Sequence, residues 1–456
     1  MSAASATATG LPVLGRRAVV VGGSLAGMLA ARAVAPHFDE VLVLERAVFG
    51  DAPEPRMSAP QSFHLHVLLK GGENAMERLA PGFLDAIEAG GSERINPGRD
   101  FMSASEMGVA RHFDTDMVVH GQSRWLLEHC LRERVLALTA NLRMQCGVTV
   151  RGLVHDADAN RVRGLRVQDA DGAESRVDAD LVVDASGRGE GGIRWLTALG
   201  ATLPEIEEVK IDFGYASAVV ELAPDPERQW KGLVVGNLPR EGARGGVIMP
   251  IEGGLHICSL GGRAGDYPPD DVEGFVEFTR ALPHPALHEA LASARFVDGV
   301  SRLIYPANRH RHYERLTDLP GGFVPVGDAL CSFNPTYGQG MSSSALQAEA
   351  LFDLFAARGA GDGIEDLVRA HLLNAAEVVR PAWRQANFND FLYPTTIGDR
   401  DMFSEEEMAY RMQVQIAALR DDYVRDMAGA AQNLLVPFER LLEDDVRTRV
   451  AAAMAA

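Results

Sequence analysis

The chain has 456 residues, 46% hydrophobic and 23% charged, an ordinary globular balance that excludes a wholly disordered protein. Its 44 Lys and Arg against 63 Asp and Glu give a net charge of −19, which disfavours binding to nucleic acid or to an anionic membrane surface. No apolar run reaches the ~18 residues of a membrane span, and no basic start leads into an apolar core. We therefore expect a cytoplasmic protein of two or three domains, with no nucleic-acid partner and no membrane span.

In chain order, residues 1–15 are rich in Ala, Ser and Thr and read as a flexible start. The run 18–21 (Ala-Val-Val-Val) is fully apolar, as a buried parallel strand requires. Gly22-x-Ser24-x-x-Gly27 follows, then a helix-forming stretch over 28–34 stopped by Pro36, then a second apolar strand over 41–44 closed by Glu45. This strand–turn–helix–strand unit is a variant of the dinucleotide fingerprint. Gly22 allows the tight turn, small Ser24 lets backbone approach a pyrophosphate and offers it a hydroxyl, and Gly27 lets helix and strand pack closely. Glu45 stands near the spacing, about 20 residues on, of a carboxylate that binds a ribose diol.

Residues 124–139 read as a helix, and 141–167 as short strands turning at Asn160-Arg161. A strand over 181–184 leads into Gly187-x-Gly189-x-x-Gly192 and a short helix near Trp195. No helix–strand–acid sequel follows, so this second glycine motif reads as a turn around the first cofactor. Alternating runs between 205 and 305 predict an open, antiparallel sheet. An apolar strand over 321–326 then enters Gly327-Asp328, the segment 334–341 (Asn-Pro-Thr-Tyr-Gly-Gln-Gly-Met), and a helix over 342–357. Glycines there let backbone lie against a flat ligand, and the helix N-terminus can stabilise negative charge on it. Asp328, at a strand end, can accept from a polyol. Beyond 364 the chain reads as mostly helical.

These motifs resemble the FAD-dependent monooxygenases of the aromatic hydroxylase fold over about residues 16–380. The carriers are Gly22 to Gly27 with Glu45-Arg46, Arg124, and Gly327-Asp328 with Pro335 to Met341. Arg56-x-x-x-Pro60-Gln61-x-x-His64-x-His66, 184–188 (Asp-Ala-Ser-Gly-Arg) and 327–335 resemble more narrowly the polyene epoxidases of polyether antibiotic biosynthesis. The resemblance implies an α/β fold: a Rossmann-like FAD-binding domain from 16–200 and 300–380, a substrate-binding sheet domain over 201–299 with 76–104 as a candidate addition, and a helical C-terminal region over 381–456. It also implies that Glu45 holds the adenosine ribose, with Arg46 and the backbone of Val150 near the adenine. Arg124 contacts the phosphate or ribityl region, and Asp328 the ribityl chain or pyrophosphate. Pro335, Gly338, Gly340 and Met341 line the isoalloxazine, and Gln61 and His66 flank it.

The implied reaction is insertion of an oxygen atom from O2, through a flavin C4a-hydroperoxide, into an alkene of an apolar polyketide or terpenoid-like substrate. Aromatic hydroxylation or reductase chemistry on the same fold are the alternatives. The flavin carries the chemistry, so no catalytic acid or base is nominated. Electrons come from NADPH or NADH, directly or through a separate flavin reductase. The usual Asp-Gly pair linked to NADPH handling is replaced here by Asp184-Ala185-Ser186-Gly187, which counts against direct reduction by NADPH and leaves a separate flavin reductase as an alternative. The Trp-x-Trp-x-Ile-Pro motif of flavin-dependent halogenases is absent. His64-x-His66 and His310-x-His312 lack a neighbouring Cys or carboxylate at a known ligand spacing, so no metal is expected. Residues 309–312 (Arg-His-Arg-His) read as a solvated or ion-paired face, with NADPH phosphate recognition as the alternative. The aromatics and amides of 387–394 read as packing, with a substrate lining as the sharper alternative. Cys130, Cys146, Cys258 and Cys331 read as reduced, mostly buried thiols.

Overall fold

The structure is a computed structural model that describes residues 13–56, 59–106, 108–236 and 244–455. Of the expected flexible start, 1–12 lie outside the described residues, while Gly15 already opens a strand.

Five parallel strands form one sheet, in the order Phe323–Pro325, Leu181–Asp184, Gly15–Val21, Phe38–Glu45, Leu142–Cys146. The central runs are apolar without alternation because both faces are covered, as Ala18, Val19, Val20 and Val182 show by complete burial, while the edge strand Leu142–Cys146 alternates. The helix Leu25–Val34 packs against Arg124–Leu138 and Gln339–Ala356, and the latter also against Lys70–Leu79. Thr149–Asp156, Arg161–Gln168 and Glu174–Asp178 make a small antiparallel sheet, with Asn160 at φ 43° in its first turn.

The second large sheet has nine strands. Cys331–Ser332, Ser301–Arg311, Ile206–Glu221, Leu255–Arg263, Gly245–Ile251 and Gly232–Gly236 pair antiparallel in that order. Phe101–Ser105 then joins parallel to Gly232–Gly236 and is followed by Gly108–Val109, while Arg295–Phe296 pairs beside Ile206–Glu221. One face buries Ala216, Ala218, Val220, Ile248 and Leu260 against the helices Val272–Phe278 and Ala286–Ala292. The alternate residues Phe213, Tyr215, Ser217, Val247, Met249 and Ser259 point the other way.

Observed elements cross two expected boundaries, and one reaches the candidate addition. Ser301–Arg311 pairs within the second sheet, so 301–311 goes with that layer and not with the parallel sheet. Phe101–Ser105 brings the end of 76–104 into it. The break at 380 falls inside the continuous helix Ile364–Phe391, which Pro381 does not interrupt. Past it, Glu405–Ala417, Asp422–Gln432 and Asp444–Ala455 share a small core of Val414, Val424, Val446 and Val450. Ser404 and Asp421 cap the first two of these helices through the Glu407 and Val424 N–H groups. All four cysteines are free thiols, and three are buried. Among the described residues no helix is long and apolar enough to cross a membrane.

Candidate functional site

The first glycine turn is built by close approach. Gly22 sits at φ 106°, and a Cβ on Gly27 would lie 1.8 Å from the Gly22 carbonyl oxygen. Any side chain at Gly27 must therefore push the helix off the strand. Ser24 caps the helix Leu25–Val34 in extended geometry without bonding its first turn, and no acid lies in that turn. The helix's positive end is thus left for an external anion. The Ser24 hydroxyl donates to Glu128 Oε1 at 2.7 Å. Arg124 also holds Glu128, Nε to Oε1 at 2.8 Å, and Arg56 pairs with the other oxygen. Burial alone would raise the Glu128 carboxyl, but Arg124, Arg56 and Ser24 outweigh it and hold it below the usual range. Arg124 Nη2 lies 3.4 Å from Ser24 Oγ, so its guanidinium stands at the mouth of the helix.

Glu45 is buried. Its Oε2 accepts the Gly23 N–H at 2.7 Å and its Oε1 the Ala47 N–H at 2.8 Å. Each oxygen keeps acceptor capacity for a ribose hydroxyl. The Val148 N–H donates to the Glu45 carbonyl at 3.0 Å, which brings the strand bearing Val150 alongside. Arg46 is exposed just beyond.

A second and third loop meet the first. Gly327, at φ 62°, approaches so closely that a Cβ there would lie 2.7 Å from Ala26 Cβ. Buried Arg311 donates to the Asp328 and Ala329 carbonyls at 3.2 and 3.4 Å and fixes this turn. Withdrawal from water raises the Asp328 carboxyl, with Arg188, Arg124 and Arg311 pulling it back. A Cβ on Gly340 would lie 3.8 Å from Asp328 Oδ1, so Asp328 adjoins the start of the helix Gln339–Ala356. That helix begins on Gly338, at φ 66°, whose missing side chain offers no cap. Gln339 is 1% exposed, yet both ends of its amide lack a partner. Orphaned donors and acceptors at a helix N-terminus, beside half-buried Pro335 and buried Met341, fit the polar edge of a planar ligand.

His66 Nδ1 lies 2.9 Å from the His64 carbonyl, and burial and Arg124 push the ring down to about 3, so it is neutral. Gln61 stays exposed on the turn Pro60–Phe63, where its carbonyl accepts the His64 N–H at 3.1 Å. The buried side chain of that motif is His64. Its Nδ1 lies 2.8 Å from Ser217 Oγ, itself hydrogen-bonded to Ser259, and its ring centroid lies 4.4 Å from that of Tyr215. Glu128, Arg188, Ser217, Gln339 and His64 thus join a site for which sequence reasoning did not nominate them. His64, Arg188 and Gln339 carried a signal, being inside recognised motifs.

Residues 16–386 match the family model described as an FAD binding domain. The chain belongs to this FAD-binding family. The donor set agrees, with an open helix N-terminus for a pyrophosphate, a buried carboxylate for a ribose, and unpaired amide atoms at a third loop for the ring. Protein Rv3254 of Mycobacterium tuberculosis is 32% identical over 392 residues, covering 82% of this chain and 80% of that protein. The flavin-dependent brominase Bmp2 shares the fold at TM-score 0.66 and 16% identity, over 95% of this chain and 100% of that one. PqsL, described as a probable FAD-dependent monooxygenase from Pseudomonas aeruginosa, is similar at TM-score 0.60 and 14% identity, over 87% and 99%. 2-Methyl-3-hydroxypyridine-5-carboxylic acid oxygenase is similar at TM-score 0.57 and 20% identity, over 82% and 91%.

Within the family fold, the other sequence candidates have structural explanations. The 187–192 glycines fold around buried Asp184, which accepts from the Ser186 and Gly192 N–H groups, so this helix start already holds a carboxyl group of its own chain, raised by burial. The 309–312 cluster is ion-paired: Arg309 with Glu208 and Glu190, and His312 with Glu207 and Glu314. The fold does bring a carboxylate to the second histidine pair, which local spacing did not show. Donor atoms of Glu207, His310 and His312 lie within 4.8 Å of one another. Burial alone would lower His312, but its two carboxylates raise it to about 9, so the ring is an imidazolium with both N–H groups donated.

Proposed function

We propose that the protein is an FAD-dependent monooxygenase that epoxidises alkenes of an apolar, polyketide- or terpenoid-like substrate, in the manner of the polyene epoxidases its motifs resemble. The observation that carries the reading is the meeting of the third loop with the second sheet. A Cβ on Gly338 would lie 3.2 Å from the Val67 carbonyl, and Val67 packs with Leu65, Phe101, Val247 and Met249 in an apolar cluster on the sheet. The 201–299 layer is thus the proposed substrate surface. Bound FAD supplies the activation of O2 and the electrophilic oxygen. The chain's own residues do the rest: the apolar cluster excludes water and orients the alkene, and N–H groups at Gly338 to Met341 stabilise negative charge on the ring.

Epoxidation needs no base, whereas phenol hydroxylation gains from one with a pKa near the working pH. Two titratable groups by this surface lie far from that range. Burial lowers His64 to about 4 and raises Tyr215 to about 12. This supports epoxidation over phenol hydroxylation. The names of PqsL and the pyridine carboxylate oxygenase support oxygen transfer. The scattered Trp125, Trp195, Trp230 and Trp383 argue against halogenation.

The test offers reduced, FAD-loaded protein an alkene probe and a phenol of similar size under O2, between pH 6 and 9. Epoxide formed at a nearly pH-independent rate is the expected result. Phenol turnover that rises with pH, without epoxide, would replace this reading with the hydroxylase.

A further inference from the structure

Asp390 lies in the last turn of the helix Ile364–Phe391, far along the chain from the third loop, in a segment that read as packing with a substrate lining as the alternative. It is completely buried. Its Oδ1 accepts from Arg263 Nη2 at 2.5 Å, Tyr337 Oη at 2.8 Å and Asn334 Nδ2 at 2.9 Å, and its Oδ2 from Asn308 Nδ2 at 2.8 Å. Two of these donors, Asn334 and Tyr337, bracket the Pro335–Tyr337 turn that leads into Gly338. Asn334 also starts that turn, its Oδ1 accepting the Thr336 N–H at 3.1 Å.

We propose that Asp390 is a positioning residue for the flavin ring: it fixes the 334–338 loop from behind, so that the Gly338 to Met341 backbone is preset before FAD binds. This rests on the reading of that loop as the flavin-facing one. The chemistry demands a carboxylate. Four donors converge on it, and only a carboxylate accepts all of them while offering no proton of its own. Its charge also balances the guanidinium of Arg263, which is 4% exposed and lies 3.9 Å from the Tyr393 ring centroid. An amide in its place would aim an NH2 group at one of the donors and leave Arg263 unpaired. A purely mechanical helix anchor is already present one step away, where Thr396 Oγ1 donates to the Asp390 carbonyl at 2.6 Å.

The test compares wild type, Asp390→Asn and Thr396→Val, prepared as apoprotein and titrated with FAD. Amide hydrogen exchange over 334–341 is measured before FAD is added, and the visible circular dichroism of the bound flavin after. For Asp390→Asn we expect about a tenfold or greater loss of FAD affinity, faster exchange in the apo loop and a changed flavin signature. Thr396→Val should keep wild-type values for all three. Wild-type values in Asp390→Asn overturn the proposal, and equal losses in both variants overturn it too, because the role is then merely structural. Should Asp390→Asn not fold, Tyr337→Phe removes one loop-side donor and must shift exchange and the flavin signature in the same direction. No change there overturns the proposal. Failure of the wild type to bind FAD would instead sink the flavin reading itself.

Discussion

Glu128 shows at the scale of single residues how the site is held ready for an anion. It gathers Arg124, Arg56 and Ser24 at the mouth of the first helix, so the guanidinium groups are placed before any phosphate arrives. The glycine behind them has no steric alternative. Gly27→Val puts carbon where the Gly22 carbonyl lies, and a colourless protein with no measurable FAD binding in a fluorescence titration is expected. Asp328→Ala should weaken FAD binding by about 1–3 kcal/mol, the range for a lost charge-assisted hydrogen bond, read from the same titration. His312 governs stability rather than chemistry. Its pKa rises from 6.5 to about 9 on folding, so its ion pairs contribute fully below about pH 6.5 and are lost as pH climbs through 9. Unfolding free energy in urea should therefore fall between pH 7 and 10, and His312→Gln should flatten that slope.

At the scale of elements, the helix Gln339–Ala356 starts on one left-handed residue, Gly338. Gly338→Ala forces a Cβ into φ 66° beside the Val67 carbonyl. A loss of about 1–2 kcal/mol in urea unfolding is expected, together with weaker FAD binding. This helix starts at Gln339, three residues before the apolar pattern announces it, because its first turn is built of glycine and buried polar residues that carry no apolar period. The parallel strands were legible for the opposite reason: both faces are buried, so Val19, Val20, Val182 and Val183 leave no alternation to misread. The pairs that span long stretches of chain were not legible. Glu207 meets His312 across two neighbouring strands, and Ser24 meets Glu128 across a helix interface, and no local spacing encodes either. Asp390 was hidden because a buried carboxylate on a helix reads like any polar face until its donors, which come from distant segments, are placed.

At the scale of the whole molecule, the parallel sheet and the nine-stranded sheet divide the labour, one carrying the nucleotide-binding turns and the other an apolar surface against the third loop. The helix Ile364–Phe391 crosses the expected boundary and touches both sheets, packing on Phe323–Pro325 of the parallel sheet and reaching Asn308 and Arg263 of the nine-stranded sheet through Asp390. The source of electrons is a property of this assembly. With Asp184 spent on its own helix start, the account expects a flavin band that persists when NADPH alone is added anaerobically, and bleaching once a flavin reductase is supplied. Rapid bleaching by NADPH alone would place a reduction site on this chain.

The central claim is that this protein transfers oxygen from O2. The most direct measurement is mass spectrometry of the product formed from an alkene probe under 18O2 by the FAD-loaded, reduced protein. One 18O atom in an epoxide is the predicted result. Product that forms without O2, or that takes its oxygen from water, would contradict it.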